Sequence, residues 1–229
     1  PGLSDSDIPS KFEWNHINDK SFVTRAFNQN SPQYCGSGWA VAALGAWQDR
    51  IKIAKAAEAE ASGGDVELSP QVLLNCGDKV GGTCSGGYPA GAYLYALERD
   101  GVEYESCQQY QADDTRGCEK INQWRRCTLN SSAGSTSSVC WGVDSEVGYG
   151  PYRHWSGNLV STGKPKATLK SWGFVSGASD MQAEILLRGP IACLVESEPL
   201  RAYKGGVFKY HEFSGDDHKH DYDHALVVT

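Results

Sequence analysis

Hydrophobic residues follow two different patterns along this chain, with helical spacing in the first part and strand-like runs in the last part. After position 38, apolar residues recur every three or four positions, which predicts a long helix with one buried face. A second helix is predicted after Ser69, a suitable N-cap, with Pro70 at its first position, and a third follows Pro89. The first helix has Ala40, Leu44, Trp47, Ile51 and Ala54 on its apolar side, and Gln48, Asp49, Arg50, Lys52 and Lys55 are assigned to its polar side.

The last part of the chain has a different character. Residues 179–190 are predicted to form a short capped helix that Gly189 and Pro190 end. Apolar runs at 191–196, 205–210 and 225–228 are typical of strands. Helices followed by strands predict an α+β protein whose two halves pack side by side. We expect one domain over residues 1–229, with a mostly helical half at about 8–128 and a mostly β half at about 129–229.

The cysteine content indicates an oxidising compartment. The chain has eight cysteines, which is many for a reduced cytosolic protein, and their spacing does not match a standard zinc site. A glycosylation sequon at Asn130 agrees with passage through the secretory route. A formal charge of -7 argues against nucleic-acid binding, and no apolar run is long enough to span a bilayer. We therefore expect a lysosomal, vacuolar or extracellular protein.

A short motif before the first predicted helix points to a chemistry whose reactive residue is absent. Its sequence is Gln33-Tyr34-Cys35-Gly36-Ser37-Gly38-Trp39-Ala40. The string resembles the active-site segment of papain-like cysteine peptidases, in which a second cysteine stands where this chain has Gly38. In that family the thiolate lies at a helix N-terminus, where the helix dipole and a nearby imidazolium lower its pKa. Because glycine has no side chain to acylate, the resemblance implies a papain-like two-lobed fold without its nucleophile.

The resemblance also assigns other site residues. His224, which precedes an apolar strand, matches the catalytic imidazole, and Gln29 matches the side chain that helps to hold an oxyanion. From the residues alone, Gln29 as an ordinary surface amide and the Gly-Gly pair as a simple turn remain open. No cofactor and no metal are implied. The residues assigned to the substrate cleft, where a peptide ligand would bind, are Asn30, Trp39, Gly86 and Gly87.

Within that family, three segments are most similar to the cathepsin X (cathepsin Z) subfamily. They are the segments 32–37, 49–53 and 107–112. The subfamily has an insertion between the oxyanion glutamine and the first cysteine of the motif, and this chain retains it. A histidine in the insertion engages the C-terminal carboxylate of the substrate and makes those enzymes carboxypeptidases. Asn30 stands at the matching position here, and its neutral amide loses the charge assistance, which weakens the case for exopeptidase specificity.

Disulfide pairing is implied by the resemblance. Cys35 is expected to pair with Cys84, and Cys76 with Cys118. Cys107 is expected to pair with Cys127, with Cys140 as an alternative. In family members, the partner of Cys193 and an asparagine that orients the imidazole lie beyond the position of Thr229. We therefore expect a fold that is C-terminally incomplete and lacks the last strands of its β half.

Three hypotheses about function remain. The first is a natural pseudopeptidase that binds peptides or proteins, and the second is an active peptidase whose nucleophile has been replaced. The third is a structural subunit whose missing strands come from a second chain. Asn30 favours the first, because removal of a nucleophile by design gives no reason to alter the neighbouring insertion. The acidic, histidine-rich stretch at 211–221 is interpreted as a solvated hairpin loop in preference to a metal site, because its spacing is irregular.

Overall fold

The fold is that of a computed structural model, which describes residues 3, 5–57, 65–77, 80–99, 101–106, 108–118, 125–132, 135–143, 152–154, 159–160, 166–206 and 222–229. Side chains between residues 119 and 166 lie outside this description. All structural statements below concern the described residues. Among them, no helix combines the length and the apolarity that crossing a bilayer requires.

Three helices form the first half of the chain. They are α1 (Gly38–Ala57), α2 (Pro70–Cys76) and α3 (Pro89–Glu98), preceded by a short 3-10 helix at Asp5–Asp7. The prediction for the start of α2 is confirmed, because the Ser69 hydroxyl accepts a hydrogen bond from the backbone N–H of Val72 at 3.2 Å, and Pro70 is the first helical residue. The three helices enclose one hydrophobic core, which includes Trp39, Ala43, Leu44, Leu73, Ala92 and Tyr95.

Two residues of α1 differ from the predicted faces of the helix, and the first is Ala54, which was predicted on the apolar side but is exposed. Asp49 was predicted on the polar face but is only 3% exposed. Its Oδ1 accepts hydrogen bonds from the backbone N–H of Thr24 at 2.6 Å and from the Thr24 hydroxyl at 2.7 Å. Burial raises the pKa of this carboxyl, and the two hydrogen bonds act in the opposite direction. The carboxylate thus anchors the N-terminal segment to α1, a contact that helical periodicity does not reveal.

Most strands lie in the second half of the chain. The strands are β1 (Gly82–Thr83), β2 (Gly86–Gly87), β3 (Val102–Glu103), β4 (Arg125–Ser132), β5 (Ser135–Val143), β6 (Tyr152–His154), β7 (Leu159–Val160), β8 (Lys166–Ala167), β9 (Ile191–Val195) and β10 (His224–Val228). Antiparallel pairs join β1 to β2, β3 to β8 and β9 to β10, while β4, β5, β6 and β7 form one sheet in that order. The α+β class is therefore confirmed.

The helix predicted at 179–190 is present as α4 (Ala178–Arg188), and a 3-10 helix follows β9 at Glu198–Ala202. The start of α4 differs from the prediction, because Gly177 occupies the N-cap position and provides no side-chain cap. Gly189 ends α4 with a φ of 105° and donates its N–H to the Ile185 carbonyl. The strand predicted at 205–210 begins in a bend at Gly205 and Gly206, and its remaining residues lie outside the described part.

The sheet of β9 and β10 packs against α1 and determines where His224 lies. His224 is the first residue of β10 and pairs with Val195 of β9. A Cβ added to Gly38 would approach the His224 ring, and a Cβ added to Gly45 would lie 3.0 Å from Val227 Cγ2. From 38 to 45 the helix advances about 10 Å, and from 224 to 227 the strand also advances about 10 Å. Equal lengths of α1 and β10 therefore separate the two contacts, and His224 lies beside the start of α1.

Candidate active site

Position 38 is the point at which the predicted site residues meet. Gly38 is buried and is the first residue of α1. A Cβ at this position would lie 2.8 Å from Gln29 Oε1, 3.1 Å from His224 Cε1 and 3.2 Å from His224 Nδ1. The positive end of the dipole of this 20-residue helix also points here. The structure thus brings Gln29 and His224 to a place where a side chain would be surrounded by an amide, an imidazole and a helix N-terminus.

The backbone that leads into α1 is held by a disulfide and a hydrogen bond. Cys35 and Cys84 are joined, as the resemblance implied, and so are Cys76 and Cys118. Next to the first disulfide, the Gly36 N–H donates to the Cys84 carbonyl at 2.7 Å. A Cβ on Gly36 would lie 2.7 Å from that same carbonyl oxygen. Glycine at position 36 is therefore required by close approach of two backbone segments.

Gln29 and Ser37 are connected through a residue that the sequence did not reveal. The Tyr110 hydroxyl lies 2.7 Å from the Gln29 carbonyl oxygen and 2.6 Å from Ser37 Oγ. Ser37 is fully buried and Tyr110 is 9% exposed. No local pattern indicates this contact, because Tyr110 is separated from Gln29 by 81 positions and from Ser37 by 73.

His224 is half-buried at the start of β10, and its neighbour holds the adjoining loop. The Asp223 carboxylate accepts hydrogen bonds from the backbone N–H of Ser197 at 2.7 Å and from its hydroxyl at 2.8 Å. These hydrogen bonds lower the pKa of Asp223. Asp223 therefore fixes the entry of the chain into β10, with its carboxylate bound to the loop that follows β9.

The residues assigned to the cleft occupy different environments. Trp39 is only 2% exposed, and its indole Nε1–H donates to the Thr83 carbonyl at 3.1 Å. Its ring lies beneath the β1–β2 hairpin, since a Cβ on Gly87 would lie 2.9 Å from Trp39 Cδ2. Around Gly86, in contrast, no atom would lie within 4 Å of an added Cβ. Tyr88, which follows the hairpin, is 70% exposed. The hairpin thus has an open outer side at Gly86 and a packed inner side on Trp39.

Asn30 uses its side chain within the insertion. It is exposed, and its Oδ1 accepts a hydrogen bond from the backbone N–H of Cys35 at 3.2 Å. Its own backbone N–H donates to Asn28 Oδ1 at 3.0 Å. The amide therefore closes the loop between Gln29 and Cys35, while its Nδ2 group is the part that can donate to a ligand.

Several predicted residues are described only in part or lie outside the described residues. Asn130 lies on β4 opposite Ser137 of β5, and Cys127 lies opposite Cys140 in the same pair of strands. Cys107 and the stretch 211–221 lie outside the described residues, so both assignments stay predictions. Cys193 forms no disulfide within the described part of the chain, and burial raises the pKa of its thiol.

The sequence also matches a known family. The sequence profile of the papain family of cysteine proteases matches residues 8–229. The chain belongs to the papain family of cysteine proteases. Its family membership agrees with the order of the site residues along the chain, in which the glutamine precedes the α1 motif and the histidine begins a late strand.

Relatives and a solved structure support the same family. The chain is 32% identical to cathepsin Z of Onchocerca volvulus, in an alignment that covers 93% of this chain and 58% of that protein. It is 27% identical to cathepsin L2 of Homo sapiens, with 97% and 51% covered. The structure of digestive procathepsin L2 proteinase from Tenebrio molitor larval midgut matches with a TM-score of 0.61 at 22% identity, with 96% and 53% covered, and shows the papain-like fold. The chain spans about half the length of the curated relatives it matches.

Proposed function

We propose that this papain-family chain is a cathepsin Z-like pseudopeptidase that binds peptide or protein segments in its cleft without cleaving them. The observation that carries the proposal is the environment of Gly38. Gln29 and His224 converge on a position that has no side chain. Covalent peptidase chemistry needs a nucleophile there, since His224 would only activate it and Gln29 would only hold the oxyanion that its attack creates.

Neighbouring groups do not replace the missing thiol. The sulfur of Cys35 is bonded to Cys84 and cannot act as a thiolate. The Ser37 hydroxyl is fully buried and hydrogen-bonded to Tyr110, so it faces away from an incoming peptide. Water at position 38 would lack the low pKa of a thiolate and would form no acyl-enzyme. The site therefore retains groups that recognise a peptide carbonyl but lacks one that attacks it.

The disulfides and the sequon bear on location. Two disulfides in the helical half are typical of proteins from oxidising compartments. Together with the sequon at Asn130, they support a protein of the secretory route, in a lysosome, a vacuole or the extracellular space. Nucleic-acid partners are disfavoured, since the net charge of -7 repels a polyanion.

A second candidate is an active-site-mutated form of a lysosomal or secreted cysteine (carboxy)peptidase. The short distances from position 38 to Gln29 and His224 favour it, because both side chains still face the place of a nucleophile. Asn30 weighs against it, because its Oδ1 is committed to the Cys35 N–H and it supplies no positive charge for a C-terminal carboxylate.

The experiment restores the thiol by Gly38→Cys and measures alkylation at position 38 by iodoacetamide as a function of pH, read by peptide mass spectrometry. A thiol next to an imidazole at a helix N-terminus should stay reactive well below its ordinary pKa of about 8.5. Adding His224→Ala should move the reactivity back towards that value. If the thiol introduced by Gly38→Cys titrates normally in both proteins, position 38 is not the place of a lost nucleophile.

Binding and turnover separate the two candidates. The unmodified chain should retain members of a synthetic random peptide pool and release them intact. Efficient hydrolysis of the same pool by Gly38→Cys would favour the mutated-peptidase candidate, whereas alkylation with little hydrolysis would favour the pseudopeptidase. Failure of the unmodified chain to retain any peptide would contradict a binding role in the cleft.

A further inference from the structure

A single buried hydroxyl connects the two backbone segments that build the candidate site. The Tyr110 hydroxyl donates to the Gln29 carbonyl at 2.7 Å. A phenol has one proton to donate, so the 2.6 Å contact with Ser37 is made by the serine hydroxyl as donor. The hydrogen bonds therefore run in one direction, from Ser37 through Tyr110 to the backbone of Gln29.

Ser37 immediately precedes α1 and accepts its first hydrogen bonds. Its carbonyl accepts hydrogen bonds from the N–H groups of Ala40 at 2.9 Å and Val41 at 3.0 Å. Its hydroxyl is used by Tyr110 instead of capping the helix. Since Gly38 follows directly, any movement of Ser37 moves position 38 and the free N–H groups of the first helical turn.

Tyr110 is itself held in place from two sides. Its ring packs edge-to-face on Phe27, with ring centroids 5.0 Å apart and an interplanar angle of 79°. Its backbone N–H donates to Glu105 Oε1 at 2.8 Å. Burial raises the pKa of the Tyr110 hydroxyl, so it keeps its proton at neutral pH and continues to donate to Gln29.

We propose that Tyr110 is a positioning residue that sets the separation between Gln29 and residue 38, and thereby aligns the two groups that would hold a carbonyl oxygen of a bound peptide. The inference rests on the proposed function, because it assigns Gln29 and position 38 to one site. The disulfide at Cys35 fixes the loop to the β1–β2 hairpin, whereas Tyr110 fixes Gln29 to the start of α1. The segment before α1 is therefore held to the hairpin by the disulfide and to Gln29 by Tyr110.

Two reactions of a restored thiol distinguish positioning from general stability. In iodoacetamide alkylation, the thiolate introduced by Gly38→Cys forms an S–C bond as iodide leaves, and no oxyanion arises. With a peptide nitrophenyl ester, the thiolate forms an S–C bond at the carbonyl and the π electrons move to oxygen. That oxyanion then collapses and expels nitrophenolate, which leaves a thioester that water hydrolyses. Only acylation depends on oxyanion donors.

The test compares Gly38→Cys with and without Tyr110→Phe, both carrying Cys193→Ser so that the thiol on β9 does not react. Misplacing a donor typically costs up to about 100-fold in rate, so acylation should fall about 10- to 100-fold. Alkylation at position 38 should stay within about twofold, because it does not depend on oxyanion donors. Tyr93→Phe is the matched control, since that tyrosine also donates to α1, at the Ala43 carbonyl, 3.1 Å away, and should change neither rate.

A second variant tests whether Tyr110 acts through Gln29. Gln29→Ala should reproduce the selective loss of acylation, and adding Tyr110→Phe should cause little further loss, because the two substitutions remove one function. Unchanged acylation in Tyr110→Phe, or a parallel fall of acylation and alkylation, would overturn the proposal.

A Gly38→Cys chain that is not acylated at all would count against the proposed function. The positioning role of Tyr110 would then be tested by hydrogen exchange, which needs no reaction at position 38. In the otherwise unmodified chain, Tyr110→Phe should speed amide hydrogen exchange in the peptide covering residues 28–41, and Tyr93→Phe, which loses a contact with Ala43 outside that peptide, should leave its exchange unchanged. Unchanged exchange in that peptide for Tyr110→Phe would overturn the proposed positioning role.

Discussion

Replacing Gly36 or Gly38 by alanine should have very different consequences for stability. In Gly36→Ala, the added Cβ would lie 2.7 Å from the Cys84 carbonyl oxygen, and the disulfide between Cys35 and Cys84 prevents the segments from separating. Overpacking of this kind costs about 1–3 kcal/mol, and weakening the 2.7 Å hydrogen bond from the Gly36 N–H costs about 1 kcal/mol more. We expect a total destabilisation of about 2–4 kcal/mol.

Gly38→Ala should be tolerated. The nearest atom to its Cβ is Gln29 Oε1 at 2.8 Å, the end of a flexible side chain that can turn away. The contacts with the His224 ring at 3.1 and 3.2 Å require shifts of a few tenths of an ångström. Alanine also stabilises the chain by about 0.4–1 kcal/mol through lower entropy of the unfolded state. The net change should lie within about 1 kcal/mol of zero.

The assay is thermal and urea unfolding of both variants and the parent without reductant. For a chain of 229 residues, a change of 1 kcal/mol shifts Tm by about 2–4 °C. Gly36→Ala should therefore lower Tm by about 4–16 °C, and Gly38→Ala should change it by less than about 4 °C. If Gly38→Ala destabilised the chain as much as Gly36→Ala, the glycine at position 38 would be a structural requirement, and its interpretation as a lost nucleophile would fail.

Three further predictions concern other parts of the chain. Burial raises the pKa of Asp49 above 3.8 in the folded state, so the unfolded state releases this proton first as pH rises. The stability that Asp49 contributes therefore falls as pH rises from 3.8 through the higher folded pKa. Asp49→Asn should flatten that part of the pH profile of urea denaturation, and an unchanged slope would show that Asp49 does not titrate as a buried carboxyl. In a Gly38→Cys background, Asn30→His should increase hydrolysis or binding of peptides with a free C-terminal carboxylate relative to amidated peptides, and equal preference in both variants would contradict the role of position 30. Peptide mapping of unreduced protein should recover a cross-link from Cys107 to Cys127, or to Cys140 as the alternative, and a link between Cys127 and Cys140, which lie opposite each other across β4 and β5, would contradict both pairings.

Short sequence patterns predicted several helix and strand boundaries correctly. The N-cap at Ser69, the end of α4 at Gly189 and the strand that begins near His224 each depend on a few adjacent residues. The resemblance added the order of Gln29, the α1 motif and His224, which the structure brings together at position 38. These features follow from short segments whose residue types and spacing are informative by themselves.

Contacts between distant segments were not predictable in this way. Asp49 looked like a surface residue because the periodicity of α1 contains no information about Thr24, which is 25 positions away. Tyr110 lies in the segment 107–112 that supported the resemblance, but nothing in that segment indicates that its hydroxyl joins Gln29 to Ser37. Buried polar groups depend on partners that only the folded chain supplies, so both were visible only once the three-dimensional arrangement was known.

The most direct measurement is peptide hydrolysis by the unmodified chain, with His224→Ala as the matched protein in every assay. Without a nucleophile at Gly38, the two proteins should give the same background rate after repurification, and neither should be labelled at position 38 by electrophiles aimed at an active-site cysteine. Hydrolysis by the unmodified chain that persists through repurification and disappears in His224→Ala would show that the site is catalytic, and would contradict the proposed loss of peptidase activity.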